Sequence, residues 1–270
     1  MDPDPSVFAY ELATVSPVLF HDDGSMRKSP KSVLAQHILQ MDPAITAQGR
    51  EETAARVYDG CALLHRLPWP KVGTMDSVCS SFVSAVIHTK PTESTLCVIF
   101  DTYDVATTKD PEQKRRRLQQ ASCPDVVVTN RTPVPSNKTA FLSNKTNKQN
   151  LIKLLSVHLE EAGISVEHAG DEGDADVVIV KKALEISENQ QPVHVIADDA
   201  DILILLLHHA YHSSDIYLCT KHHIISIKIA QEVLGRELCM CLLFAHAMSG
   251  CDTTSSLYGM GKLRRSKAIQ

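Results

Sequence analysis

From residue 54 onwards, the sequence alternates short apolar runs with longer segments in which apolar residues recur at helical spacing. Most of the short runs have the length of strands and no continuous polar face. Strands of this kind must be covered on both sides, which is typical of parallel sheets connected by helices. The alternation therefore predicts an α/β fold with three α/β/α layers and a mostly parallel central sheet. The predicted strands are 54–58, 96–100, 164–169 and 193–197, followed by 216–220 and 224–228 as an outer hairpin.

The segments with helical periodicity connect these runs. Residues 201–207 are apolar throughout, so the pattern allows either a strand or a short buried helix there. Residues 121–147 are rich in Pro, Asn, Thr and Lys, which predicts a loop. The predicted helices are 30–41, 77–88, 111–120, 148–162, 174–186 and 237–249, with Gly163 just after the fourth.

Residues 1–50 are rich in Pro, Ser and Asp and differ in composition from the rest. We therefore expect an N-terminal extension over 1–50 and one domain over 51–270. The opening residues lack a basic segment followed by a long apolar run, so we expect no signal peptide. Eight cysteines without a paired CxxC framework fit reduced thiols. These features predict a nuclear or cytoplasmic protein with no membrane partner, and we take a monomer as the starting assumption.

Aspartates follow the predicted strands repeatedly. The carboxyl ends of parallel strands lie at one edge of a sheet, so these side chains should converge there. Two carboxylates about 4 Å apart repel by about 4 kcal/mol at an effective dielectric near 20. Such a cluster must bind protons or cations, and oxygen ligands favour Mg²⁺ or Mn²⁺. The aspartates of this pattern are Asp59, Asp101, Asp174, Asp176, Asp198, Asp199, Asp201 and Asp252.

A simpler interpretation is available for each aspartate alone, because an Asp after a strand often caps the next helix. This interpretation is the favoured one for Asp59 or Asp174 taken singly, and Asp171 and Glu172 look like part of a turn. One cap does not require a second carboxylate two residues later, however. The repeated Asp-Ala-Asp pairs, 174–176 and 199–201, therefore favour a metal site.

Five segments in this order resemble motifs of the flap endonucleases and their PIN-like relatives. VIADDADILIL resembles the strand that ends in paired acidic residues, and DEGDADVVIVKKAL the acidic start of a helix, with aspartates in place of glutamates. SGCDTTSSLYGMGK resembles the segment that joins an aspartate to a glycine hairpin. VYDGCALLHR and IFDTY followed by KRRR are similar to the first two strand ends. The FAYEL opening is similar to that of uncharacterised PIN-like proteins from invertebrate genomes.

The resemblance implies a structure-specific endonuclease or exonuclease that cuts DNA or RNA with two Mg²⁺ or Mn²⁺ ions. It implies that Lys114 and Arg115 lie near the scissile phosphate, and that residues 118–147 correspond to the substrate-gating arch. The implied nucleic-acid contacts are Lys109, Lys114, Arg115, Gly259, Gly261 and Lys262, with the helix-hairpin-helix element cut off at residue 270. The implied metal ligands are Asp59, Asp101, Asp174, Asp176, Asp199, Asp201 and Asp252.

Two other classes of function stay open. One is a PIN-like scaffold without catalysis that binds nucleic acid or protein, and the other is a phosphatase acting on a small phosphoester. The net charge of −5 shows no overall attraction to nucleic acid, so contacts to a polymer must be local. The histidines of residues 208–223 lack the tight spacing of zinc ligands, and we expect no metal there.

Overall fold

The computed structural model of the chain describes residues 16–27, 32–46, 54–87, 95–101, 123–170, 174–189, 192–210, 215–251 and 254–258. The strands in this part of the chain are β1 (Ala55–Asp59), β2 (Leu96–Asp101), β3 (Ser165–Ala169), β4 (Val193–Ile196), β5 (Ile216–Cys219) and β6 (Ile224–Ser226). The α-helices of the same residues are α1 (Ser32–Met41), α2 (Gly60–Arg66), α3 (Met75–Ile87), α4 (Lys138–Ser143), α5 (Lys145–Glu161), α6 (Ala175–Glu188), α7 (Ala200–His209), α8 (Ile227–Leu234) and α9 (Arg236–Met248).

The six strands form one sheet in the order β3-β2-β1-β4-β5-β6. Strands β1 to β5 are all parallel to one another, and only β6 runs antiparallel, beside β5. The predicted outer hairpin is therefore confirmed at the edge of the sheet. The mostly parallel sheet is confirmed as well.

Helices cover both faces of the sheet, because alternate strand residues point to opposite sides. On one face, α1, α6, α7, α8 and α9 pack against strand residues such as Val57 and Ile99. On the other face, α2, α3, α4 and α5 pack against Tyr58, Val98 and Phe100. This arrangement confirms the three-layer α/β/α fold.

The first described helix belongs to the predicted N-terminal extension. Ile38 of α1 and Ile45, in the 3-10 turn that follows it, are buried in the same core as the sheet. A single β-bridge also joins Thr46 to Ile225 of β6. The boundary at residue 50 stays a prediction, but this part of the extension packs as an integral layer of the fold.

The structure resolves one open alternative and differs from the predicted elements in two other segments. Residues 201–207, which the pattern left open, form helix α7. The predicted loop 121–147 contains α4 and the start of α5, because Asn137 and Asn144 each cap a helix through the side-chain oxygen. The strand predicted over 224–228 ends at Ser226, whose hydroxyl accepts a hydrogen bond from the Ile229 N–H at 3.4 Å and starts α8. Helix α2 had no counterpart among the predicted helices.

The predicted basic helix 111–120 lies outside the described residues. None of the helices in the described part of the chain is long and apolar enough to cross a membrane.

Candidate metal centre

Three adjacent strands bring aspartates to one edge of the sheet. Strands β2, β1 and β4 lie side by side and parallel, so their carboxyl ends share that edge. Asp101 is the last residue of β2, and Asp59 is the last residue of β1. Asp199 follows β4 and immediately precedes α7. The fold therefore places at one edge three side chains that are far apart in the sequence.

Among the described residues, one group of three carboxylates lies at this edge, formed by Asp176, Asp199 and Asp201. One carboxylate oxygen from each residue lies within 4.8 Å of the others, and all three residues are half-buried. Asp176 is in the first turn of α6, and Asp201 is in the first turn of α7. The amino-terminal ends of two helices therefore carry the group, where the helix dipoles favour negative charge.

Asp199 is held in place by the helix that follows it. Its Oδ1 accepts a hydrogen bond from the Asp201 N–H at 2.9 Å, which caps α7. A carboxylate has two oxygens, so the cap leaves Oδ2 of Asp199 for another partner. The capping interaction thus fixes the orientation of the side chain towards the cluster.

Asp59 and Asp101 lie close enough to interact electrostatically. Oδ1 of Asp59 accepts a hydrogen bond from the Ala62 N–H at 2.8 Å and caps α2. Burial raises the pKa of Asp59 above its ordinary value, the hydrogen bond from Ala62 opposes that rise, and the charge of Asp101 adds to it. Oδ1 of Asp101 accepts from the Ala175 N–H at 3.3 Å, which ties β2 to the start of α6.

Asp174 occupies the N-cap position of α6 but makes no capping hydrogen bond with its side chain. Asp101, from the neighbouring strand, contacts the start of that helix instead. The capping interpretation therefore holds for Asp59 and Asp199 and is wrong for Asp174. The remaining predicted site residues lie outside the described part of the chain: Lys109, Lys114, Arg115, Asp252, Gly259, Gly261 and Lys262.

Asp198 precedes the cluster but points elsewhere. It forms an ion pair with Arg66 of α2 and accepts a hydrogen bond at Oδ1 from the Lys221 N–H at 2.7 Å. The exposed Asp198 thus links α2 to the β5–β6 turn. Of the two adjacent aspartates, only Asp199 belongs to the cluster of three.

Two residues near the carboxylates were not anticipated from the sequence. Nε2 of the buried His246, in the last turn of α9, lies 3.0 Å from Oδ1 of Asp201. Lys148 of α5 is near enough for its positive charge to oppose the raised pKa of Asp59. A lone histidine in an apolar helix and a lysine in an amphipathic helix carry no sequence signal of such contacts.

The other histidines contact different parts of the fold. Nδ1 of His208 lies 3.1 Å from the carbonyl oxygen of Cys239, and His222 and His223 are exposed in the β5–β6 turn. Among the described residues, no histidine belongs to a group of three potential metal ligands. His212 lies outside the described residues.

A cavity of about 590 Å³ opens beside the carboxylates. Its lining includes Asp59 and Asp199 from the sheet edge and Leu39 from α1. Leu203 and Leu218 contribute further apolar surface, and His222 and His223 also line it. Part of the predicted N-terminal extension therefore shapes the space next to the candidate metal centre.

Two solved structures of bacteriophage T5 nuclease chains share this fold. A crystal structure of the bacteriophage T5 flap endonuclease, a pseudo-enzyme in a product complex with DNA and metal ions, matches with a TM-score of 0.52 and 13% identity. A structure of the T5 5′-exonuclease with bound zinc ions matches with a TM-score of 0.50 and 12% identity. Each match covers 80% of this chain and 74% of the other. No family model and no curated protein matches the sequence.

These comparisons confirm, at the level of the fold, the resemblance to flap endonucleases that the motifs predicted. The similarity to invertebrate proteins stays a prediction. The donor set of the cluster also fits the expected cofactor, because three carboxylates with oxygens within 4.8 Å suit a hard divalent cation.

Proposed function

We propose that this chain, which has the flap-endonuclease fold, is a divalent-metal-dependent nuclease that hydrolyses phosphodiester bonds in DNA or RNA. One observation carries the proposal: Asp176, Asp199 and Asp201 converge at the sheet edge that also holds Asp59 and Asp101. The T5 flap endonuclease of the same fold was crystallised with DNA and metal ions, which supports the same class of substrate here.

We assign the cofactor as two Mg²⁺ or Mn²⁺ ions. Asp176, Asp199 and Asp201 would hold one ion. The second set comprises the other predicted ligands, which are Asp59, Asp101, Asp174 and Asp252. When bound, such cations neutralise charge on the phosphate and activate the attacking water.

The chain's own residues orient the substrate and stabilise charge. Lys114 and Arg115 are proposed to contact the scissile phosphate, because positively charged donors stabilise the charge that develops in the transition state. Lys109 and the hairpin with Gly259, Gly261 and Lys262 are proposed to hold the nucleic-acid backbone. These local contacts would offset the net charge of −5. We propose that the protein acts in the nucleus or cytoplasm.

A binding module without catalysis is the second candidate. It would use the same fold and basic segment but would not need the carboxylate cluster. Three half-buried carboxylates in close contact are costly without a cation. The cluster therefore favours the nuclease.

The test is cleavage of labelled flap, bubble, single-stranded and RNA substrates, with Mg²⁺, with Mn²⁺ and with EDTA. We expect metal-dependent cleavage by the wild-type chain. Asp199→Asn should lower the single-turnover rate by about 10²-fold or more, the usual effect of removing a group that stabilises transition-state charge.

The adjacent Asp198→Asn is the matched control, because Asp198 pairs with Arg66 outside the cluster. It should retain a rate within a few-fold of wild type. Binding of these substrates without cleavage under any metal condition would instead identify the binding module.

A further inference from the structure

His246 lies outside the predicted site and contacts one member of the cluster. Its Nε2 lies 3.0 Å from Oδ1 of Asp201, and the two side chains are only 10% and 16% exposed. The residues belong to different helices, since His246 ends α9 and Asp201 begins α7. Hydrogen bonds to a carboxylate are stronger in such a poorly hydrated position than at the surface.

We propose that His246 is a positioning residue for the candidate metal centre. The two atoms are within ion-pair distance without the alignment of a hydrogen bond in this structure. In the proposed role, the N–H at Nε2 turns to donate to Oδ1 and holds the Asp201 side chain towards Asp176 and Asp199. The inference rests on the proposed metal-dependent function, because it concerns how one ligand of that centre is oriented. Partners that orient a ligating carboxylate commonly change metal affinity when they are removed.

The contact adds to a backbone hydrogen bond that already orients the cluster. The N–H of Asp201 donates to Oδ1 of Asp199 at 2.9 Å, so the backbone of Asp201 orients one ligand. His246 contacts the side chain of the same Asp201 and orients the next. Two of the three carboxylates of the cluster are thereby held by interactions that do not use a cation.

Direct ligation by His246 is the competing role. The group of described residues whose ligand atoms all lie within 4.8 Å of one another contains Asp176, Asp199 and Asp201, and not His246. The ring therefore contacts one member of the group without belonging to it. This placement favours a hydrogen-bond donor over a fourth ligand.

A purely structural link between α7 and α9 is the other competing role. The same two helices already have a second histidine contact, from Nδ1 of His208 to the carbonyl oxygen of Cys239 at 3.1 Å. His208 does not belong to the carboxylate group. It therefore provides a matched control for the loss of a histidine that joins α7 to α9.

The experiment measures Mn²⁺ affinity of the full chain by calorimetry, together with the melting temperature in EDTA. We expect His246→Leu to weaken Mn²⁺ binding by about 10- to 100-fold. His246→Gln should restore most of the affinity, because the Gln amide can donate from near the position of Nε2. His208→Leu should lower the melting temperature in EDTA without changing Mn²⁺ affinity by more than about twofold.

If His246→Leu does not fold, His246→Asn replaces it, since its amide is one methylene too short to reach Asp201. Equal Mn²⁺ affinity in wild type and in whichever of these two variants folds would overturn the proposal. So would an equal loss of affinity in His208→Leu. A directly coordinated ¹⁴N in the electron spin echo spectrum of the Mn²⁺-loaded wild type, absent in His246→Gln, would make His246 a ligand instead.

The cleavage assay distinguishes a failure of the proposed nuclease from a failure of the role of His246. Wild-type protein that binds Mn²⁺ through a His246-dependent site but cuts no nucleic acid would contradict the proposed nuclease and leave this inference standing. If the His246 variants change neither cleavage nor Mn²⁺ affinity, the positioning role is contradicted and the proposed nuclease stands. A wild-type chain that binds no Mn²⁺ would refute both.

Discussion

Aspartate can cap a helix and ligate a cation at the same time, because its carboxylate has two oxygens. Asp59 and Asp199 each use Oδ1 to accept a backbone hydrogen bond at the start of a helix. The capping and metal-binding interpretations of these residues therefore do not exclude each other. Capping even assists ligation, since it restricts the rotamer of the side chain before a cation binds.

Asp59→Asn should stabilise the metal-free protein at neutral pH. Burial raises the pKa of Asp59, so the folded state holds the proton more tightly than the unfolded state. The wild type therefore loses stability as pH rises through the raised pKa, whereas Asn has no charge to gain. The difference in unfolding free energy between Asp59→Asn and wild type should grow from acid to neutral pH, as measured by urea unfolding in EDTA.

Asp59→Ala separates charge from capping in the same experiment. Asn keeps an oxygen for the Ala62 N–H, but Ala does not. The Ala variant should be about 1 kcal/mol less stable than the Asn variant at every pH. A difference between Asn and wild type that does not vary with pH would contradict the raised pKa.

At the scale of elements, short helices at the strand ends place the site. Helix α2 begins immediately after Asp59, and its first residue, Gly60, lies against the ring of Phe100 in β2. A Cβ at position 60 would be only 2.4 Å from Cε1 of Phe100. Glycine therefore allows α2 to approach the sheet closely and keeps Asp59 at the edge.

Gly60→Ala should destabilise the protein by about 2 kcal/mol, because the buried Phe100 must shift to admit the methyl group. Gly170→Ala, at the end of β3, is the matched control, since no heavy atom lies within 4 Å of its added Cβ. The control should change the unfolding free energy by no more than about 0.5 kcal/mol. Equal urea midpoints for the two variants would show that the close approach to Phe100 does not destabilise the Gly60→Ala protein.

At the scale of the whole molecule, the proposed function requires an acidic chain to bind a polyanion. The net charge is −5, and the carboxylates at the sheet edge add to the local repulsion of phosphate. Bound divalent cations would offset part of the negative charge at that edge and offer positive ligands to phosphate oxygens. Metal binding should therefore precede or accompany productive substrate binding, and it should also stabilise the fold.

Mg²⁺ and Mn²⁺ should stabilise the folded protein through mass action and so raise its melting temperature. At a free ion concentration one hundred times the Kd, the added unfolding free energy is about 2.7 kcal/mol. Asp199→Asn should raise metal-free stability by relieving repulsion and should lose most of this response. Asp198→Asn should keep the response, because Asp198 is exposed and pairs with Arg66. A melting temperature that does not change with millimolar Mg²⁺ or Mn²⁺ would contradict a metal centre.

Much of the architecture was predictable because local patterns report burial. Apolar runs alternating with helical periodicity predicted the layers and the parallel sheet, and Asp59, Asp101 and Asp199 followed from their positions after strands. Helix α8 and strand β6 could not be separated from the sequence, because Ile224 to Lys228 suits either structure until Ser226 caps the helix. Helix α4 was hidden in a polar segment whose asparagines serve as caps.

The sequence by itself determined where β1, β2 and β4 end to within a residue, since each apolar run stops there and an aspartate closes it or follows it closely. Only the tertiary structure decided which carboxylates meet. Asp176 joins Asp199 and Asp201 because the starts of α6 and α7 come together at the sheet edge, while Asp198 turns to Arg66. His246 reaches Asp201 because α9 packs across α7. Periodicity reports how deeply a residue is buried, but the packing of helices distant in sequence selects its partner.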